Sequence, residues 1–186
     1  VQDRLKTTKI EESKGASLVF CWDTHLTKIK GRNVLFIVNA SNRYTIAMTD
    51  IEPRNWNYYT MYIRSVIHGV MQEMGYSEDQ IGQYFKMSGD TIVTKTHGRK
   101  SVGGINRMVM DAQYFGKKPE KEAKYQWELS EYLNRDICQP EGFDAYGYPS
   151  ELFKLDMERL GIISKRKPAK IIDFTKYIDT NRSTNH

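Results

Sequence analysis

Residues 33–49 read NVLFIVNASNRYTIAMT. Two runs rich in β-branched and aromatic residues, 33–39 and 44–49, flank the short polar segment 40–43. This composition predicts two strands joined by a tight turn. Residues 17–22 have the same character and predict a further strand upstream. Three strands with short connections favour an antiparallel meander, and this meander is expected to form the centre of the fold.

The spacing of apolar residues changes after the predicted strands to one in every three or four. This spacing predicts a long amphipathic helix over 55–74 that ends at Gly75. Ser77, followed three positions later by Gln80, is a capping-box pattern for the start of a second, shorter helix. The apolar stripe of the first helix consists of Trp56, Tyr59, Ile63, Ile67, Val70, Met71 and Met74.

The rest of the chain is predicted to be mainly helical. Residues 91–94 predict a fourth strand, and Ser101 is a predicted N-cap for the helix that follows it. A long helix is predicted over 119–137 because proline suits the first position of a helix. A loop is predicted over 138–148 and a last helix over 150–160. The long helix is expected to bury Ala123, Trp127 and Leu133.

Together these elements predict an α+β fold, a small and mostly antiparallel sheet packed with helices and followed by a helical C-terminal extension. The Lys-Lys-Pro sequence at 117–119 indicates a boundary. We therefore predict an α+β core domain over 1–118, a helical extension over 119–162 and a basic tail over 163–186.

Charge is unevenly distributed along the 186 residues, although the whole chain has a formal net charge of only +5. Residues 1–118 carry 17 basic and 11 acidic side chains, a net charge of +6. Residues 119–162 have a net charge of −5 and residues 163–186 a net charge of +4. This pattern indicates either masking of one segment by another or partners of opposite charge.

The cysteine and histidine counts exclude several classes of protein. Cys21 and Cys138 lie far apart without a CxxC motif, which predicts reduced thiols in a cytoplasmic protein and excludes a disulfide scaffold. No apolar run approaches the roughly 20 residues of a membrane helix, so we expect no membrane partner. The four histidines have no zinc-ligand spacing, and we predict neither a metal site nor a cofactor.

The candidate binding residues are concentrated between a predicted strand and a predicted helix start. Free backbone N–H groups at the start of a helix attract anions, and basic side chains add positive charge there. The segment lacks the glycine pattern of a P-loop. It favours a site for phosphate, carboxylate or a nucleic-acid backbone, with a solvated basic turn as the alternative. The candidate residues are Lys95, His97, Arg99, Lys100, Ser101 and Arg107.

Asp23 and His25 are the candidate catalytic residues. They are two positions apart in an extended segment and therefore lie on one face of a strand. An Asp/His pair can act as a general acid or base. The sequence shows no nucleophile motif to accompany them, and the alternative is a pair that only makes structural hydrogen bonds.

Trp22 and Arg43 extend the candidate binding surface. Together with nearby tyrosines they would form a basic and aromatic surface suited to stacking on unpaired bases. The alternative is that the aromatic side chains fill the core.

Several of these segments together resemble a bacterial family, the domain of unknown function 6933. The corresponding residues are Thr7, Thr8 and Lys9; the segment 22–26; Asn39, Arg43 and Tyr44; and the segment from Thr94 through Gly104 to Asn106. The resemblance covers about residues 5–116. It implies a small α+β domain, and no activity comes with it.

The leading hypothesis is a non-enzymatic binding protein that recognises nucleic acid or another phosphate-bearing partner through the basic helix start. Such a protein would be an accessory or regulatory protein of a mobile element or phage. One alternative is an enzyme that acts on a nucleotide or phosphorylated substrate with Asp23 and His25. Another is a protein–protein interaction module that uses residues 119–186.

Overall fold

The computed structural model describes residues 1, 4–5, 10–11, 15–95 and 99–165, with Arg99 described by its backbone alone. Two sheets and six α-helices make up this part of the chain. The strands are β1 (Ile10–Glu11), β2 (Trp22–Ile29), β3 (Arg32–Asn39), β4 (Thr45–Thr49) and β5 (Val93–Thr94). The helices are α1 (Pro53–Asn57), α2 (Tyr59–Glu73), α3 (Glu78–Ser88), α4 (Arg99–Tyr114), α5 (Trp127–Asn134) and α6 (Pro149–Arg159).

The predicted antiparallel meander is confirmed. β2, β3 and β4 pair in chain order, with Trp22 opposite Asn39 and Val38 opposite Thr45. Lys30 and Gly31 close the first hairpin, both with positive φ, as a two-residue hairpin turn requires. This turn sets the register of β2 against β3. A short parallel pair, β1 with β5, lies apart from the meander.

The strand predicted over 17–22 is wrong. The regular strand begins at Trp22 and runs to Ile29, whereas Leu18–Phe20 form a 3₁₀ turn. The carbonyl of Val19 accepts hydrogen bonds from two side chains, Asn39 Nδ2 at 2.9 Å and Tyr84 Oη at 2.7 Å. These side chains supply the hydrogen-bond donors that a neighbouring strand would supply to an extended segment.

The central sheet separates two apolar cores because its side chains alternate between opposite faces. Leu35 and Ile37 of β3 lie in the core with α2, α3 and α6. Val34, Phe36 and Val38 lie in the second core, with α4 and α5. The α+β prediction, a small mostly antiparallel sheet packed with helices and continued by helices towards the C-terminus, is confirmed.

The helix predicted over 55–74 is present but interrupted. Tyr58, at φ −118° and ψ 41°, separates α1 from α2. The predicted capping box at the start of α3 is confirmed: Ser77 and Gln80 bond reciprocally through side chain and backbone. The predicted N-cap at Ser101 is wrong, since α4 begins two residues earlier, at Arg99.

The long helix predicted over 119–137 is also wrong, because only Trp127–Asn134 is helical. Residues before it lie along β4 instead: Thr49 donates to the carbonyl of Lys124 at 2.7 Å, and Gln126 donates to that of Ala47 at 2.9 Å. Backbone hydrogen bonds to the open edge of β4 therefore replace the helical hydrogen bonds that the local sequence pattern predicts. Of the side chains expected to be buried, Leu133 is buried, Ala123 is half-buried and Trp127 is exposed.

The last predicted helix is confirmed as α6, one residue earlier at each end than predicted. Phe153 and Met157 of α6 lie in one core and Leu129 of α5 in the other. The boundary predicted after residue 118 stays a prediction. None of the helices in the described ranges is both long and apolar enough to cross a lipid bilayer.

Candidate functional site

The first turn of α4 is fastened to the start of β2 by two buried polar side chains. The hydroxyl of Ser101 donates a hydrogen bond to Oδ2 of Asp23. Asp23 and Ser101 are 7% and 8% exposed. The two segments that the sequence singled out, far apart along the chain, therefore meet at one point.

The alternation of β2 explains why Asp23 lies under α4. Asp23 pairs with Val38, whose side chain belongs to the core covered by α4 and α5. Trp22 faces the opposite side of the sheet, where its indole N–H donates to the Tyr84 hydroxyl at 3.0 Å. Its ring packs 6.1 Å from that of Phe153. Trp22 and Ser101 thus lie on opposite faces of the sheet.

His25 shares the α4-facing side of β2 with Asp23, as the two-residue spacing predicts. It is half-buried, and burial lowers the pKa of its imidazole below the ordinary value of 6.5. No hydrogen bond joins His25 to Asp23 in the described contacts; Asp23 is bonded to Ser101. Catalytic use of this pair stays a prediction.

Arg43 reaches the same helix from the β3–β4 turn. Its Nη2 donates to the carbonyl of Gly104 at 2.6 Å. A Cβ atom built at residue 104 would lie 1.8 Å from Nη1 of Arg43, so only glycine permits this contact. Burial lowers the pKa of Arg43, and the nearby Cys138, Asp111 and Asp136 act in the opposite direction. Arg43 therefore links the β3–β4 turn to the backbone of α4.

The basic side chains of the predicted binding segment differ in their surroundings. Lys95 is exposed, and no described residue pairs with it. Lys100 is also exposed and makes one long contact, from Nζ to the carbonyl of Pro140 at 3.4 Å. Arg107, further along α4, forms an ion pair with Asp111 at 3.1 Å. His97 lies outside the described residues.

A cavity of about 20 Å³ lies between α4 and the loop after α5. A cavity of this volume has room for about one water molecule. It cannot hold a phosphate group, so an anion would have to bind on the outer surface of α4. Its lining includes Arg43, Lys100, Ser101, Gln139, Pro140 and Glu141.

A family model described as Domain of unknown function (DUF6933) matches residues 1–152. The chain belongs to this family. The match extends beyond the 5–116 covered by the motifs and includes α5 and the start of α6. No curated protein and no solved structure matches the chain. The function of this DUF6933 member is therefore inferred from its own residues.

The sequence did not indicate two residues of the DUF6933 site as contact partners. The carbonyl of Pro140 accepts a hydrogen bond from Lys100, and the carbonyl of Gly104 accepts one from Arg43. A glycine inside an amphipathic helix is the signal that points to Gly104, because it lowers helix stability and usually has a packing reason. Nothing in the local pattern indicates Pro140, which meets α4 only through the tertiary fold.

Proposed function

We propose that this DUF6933 protein binds a phosphate-bearing partner, with nucleic acid as the first candidate. The contact region is the outer face of Lys95, Lys100 and the first turn of α4 from Arg99, named here the α4-start surface. Anions are attracted to such a place by the partial positive charge of the helix start and by the lysine ammonium groups.

The Asp23–Ser101 contact is the observation that carries this proposal. It turns the carboxylate of Asp23 inwards, where this residue is 7% exposed and bonded to a hydroxyl. Lys95 and Lys100 remain exposed on the outside. A carboxylate is thus withdrawn from the surface while two cations stay on it, which favours a polyanionic partner.

Salt dependence of binding tests the proposal directly. Binding of single-stranded and duplex DNA and RNA to the full chain would be measured at several salt concentrations, after removal of co-purified nucleic acid. The double variant Lys95→Gln/Lys100→Gln should lower the salt slope on single strands by about 1.4, since each lost phosphate contact contributes about 0.7.

Lys118→Gln/Lys121→Gln is the matched control because it removes the same charge from exposed lysines. These residues follow the far end of α4, whose 16 residues span about 24 Å. The control should leave the slope unchanged. Failure of the native protein to bind any of the four nucleic acids at low salt, or equal slopes for both double variants, would remove the proposal.

The enzymatic alternative receives less support from the geometry. A nucleophile is normally bonded to a base that a third group orients, whereas Asp23 bonds directly to Ser101 and not to His25. The neighbouring thiol is not a ready nucleophile either, since burial raises the pKa of Cys21 to about 11. A protein partner for residues 119–186 stays a prediction, and residues 166–186 lie outside the described part of the chain.

A further inference from the structure

A cleft of about 390 Å³ opens on the other side of the sheet from α4. It lies between the start of β2, helices α2 and α3, and the segment that leads into β5. Its volume is within the range of small-molecule sites in proteins, about 300 to 1,000 Å³. Aromatic and aliphatic side chains form much of its wall: Phe20, Trp22, Tyr59, Ile63, Tyr84 and Phe85.

The aromatic rings of this cleft already pack edge to face. Phe20 and Tyr84 have ring centroids 5.2 Å apart at 60°, and Tyr84 and Phe85 lie 5.5 Å apart at 76°. Aromatic rings favour this arrangement because the positive edge of one meets the negative face of the next. A flat aromatic ligand would extend the same packing into the cleft.

One buried polar group in the cleft wall has no hydrogen-bond partner among the described residues. The hydroxyl of Tyr59, a residue that is only 5% exposed, is buried and forms no hydrogen bond with any described residue. Burial raises the pKa of Tyr59 to about 12, and the side chain of Thr24, which also lines the cleft, acts in the opposite direction. Buried polar groups are normally hydrogen-bonded, so an orphaned hydroxyl indicates a missing partner.

The charged side chains of the wall argue against an anionic ligand. Asp90 lines the cleft and Arg64 is its basic side chain, whereas the carboxylate of Asp23 turns away to Ser101 on the opposite face of the sheet. The guanidinium of Arg64 already stacks over the ring of Phe85 at 4.1 Å and reaches the carbonyl of Gly89 at 3.5 Å. No lysine is among the described residues that line the cleft.

We infer that this cleft binds an uncharged aromatic small molecule with one hydrogen-bonding group, which pairs with the Tyr59 hydroxyl beside Thr24. The site is separate from the α4-start surface and does not depend on phosphate binding there. Its ligand differs in chemistry as well, being apolar where the other partner is anionic.

Two fluorescent probes with the same rings test the ligand class. N-phenyl-1-naphthylamine is uncharged and has one N–H group; 8-anilino-1-naphthalenesulfonate adds a sulfonate to the same skeleton. Titrated into the full chain, the first should bind saturably at one site per chain, and the second should bind at least ten-fold more weakly. No saturable binding of the uncharged probe, or tighter binding of the sulfonate, would overturn the inference.

Substitutions locate the binding. Thr60→Trp adds a large side chain on the cleft side of α2, whereas Met61→Trp places the same side chain on an exposed position of that helix. The first should abolish saturable binding and the second should preserve it. Ala16→Trp, in a segment without helix or strand, fills the cleft from the opposite wall and serves if Thr60→Trp does not fold. Equal binding by a folded cleft variant and Met61→Trp would contradict the site.

Tyr59→Phe tests the hydrogen bond, since it removes only the hydroxyl. The affinity for N-phenyl-1-naphthylamine should fall three- to ten-fold. An unchanged affinity in a folded variant would overturn the pairing with Tyr59.

Discussion

The guanidinium of Arg43 rests against the backbone of α4 at Gly104, to whose carbonyl it donates a hydrogen bond of 2.6 Å. The absence of a side chain at residue 104 makes this approach possible. The contact links the β3–β4 turn to the helix that bears the α4-start surface. Any change that displaces Arg43 should therefore be transmitted to that surface.

Gly104→Ala should destabilise the protein, because a Cβ atom would lie 2.6 Å from Cζ of Arg43. We expect a loss of about 1 to 3 kcal/mol in the free energy of unfolding, because the guanidinium must move away and lose its hydrogen bond to the carbonyl of residue 104. Gly103→Ala is the control: nothing lies within 4 Å of its Cβ position. Alanine there should stabilise by about 0.5 to 1 kcal/mol, as in helix interiors. Urea denaturation of both variants measures the difference, and equal effects would contradict the packing role of Gly104.

Ser101→Ala should cost about 1 to 3 kcal/mol, because it removes the hydroxyl that bonds to the buried carboxylate of Asp23. Ser65→Ala provides the comparison. Ser65 is an exposed helical serine whose hydroxyl donates to the carbonyl of Tyr62 at 2.8 Å. Its replacement should change stability by less than about 0.5 kcal/mol. Chemical denaturation distinguishes the two, and a neutral Ser101→Ala would show that the β2–α4 contact contributes little.

Tyr59→Phe and Tyr84→Phe should shift stability in opposite directions, although both tyrosines are buried in the same cleft wall. The Tyr84 hydroxyl donates to Val19 and accepts from Trp22, so its removal should cost about 1 to 3 kcal/mol. The Tyr59 hydroxyl forms no hydrogen bond within the described part of the chain. Its removal relieves an unsatisfied buried group and should stabilise by roughly 1 kcal/mol. Thermal unfolding of the two variants checks both signs, and destabilisation by Tyr59→Phe would reveal a partner for that hydroxyl.

Stability should depend on pH through His25. Burial lowers the pKa of this histidine below its unfolded value of 6.5, so the unfolded chain binds more protons between the two values. The contribution of neutral His25 is present above pH 6.5 and is lost as the pH falls through the lowered pKa. His25→Gln should flatten the stability profile in this window. Denaturation curves from pH 5 to 8 measure it, and superimposable profiles for the two proteins would count against the shift.

Local sequence determined the elements whose signals are local. The β3 strand and the β4 strand follow from β-branched and aromatic runs beside a polar turn, and these runs need no distant partner to be recognised. The start of α3 follows from Ser77 and Gln80, which bond to each other within one helical turn. The spacing of Asp23 and His25 fixed that they share a face, because alternation is a property of the strand itself.

Tertiary structure decided where competing partners outweigh a local pattern. Residues 124–126 join the open edge of β4, and residues 17–21 leave the sheet because Asn39 and Tyr84 take the Val19 carbonyl. Ser101 bonds to Asp23 instead of capping α4. The carbonyl of Gly104 accepts a hydrogen bond from Arg43, which lies 61 positions away in the sequence. The cleft at Tyr59 is likewise assembled from distant segments. These features depend on which backbone and side-chain groups the folded chain brings within hydrogen-bond distance. The spacing of residues along the sequence does not predict which distant groups will meet in this way.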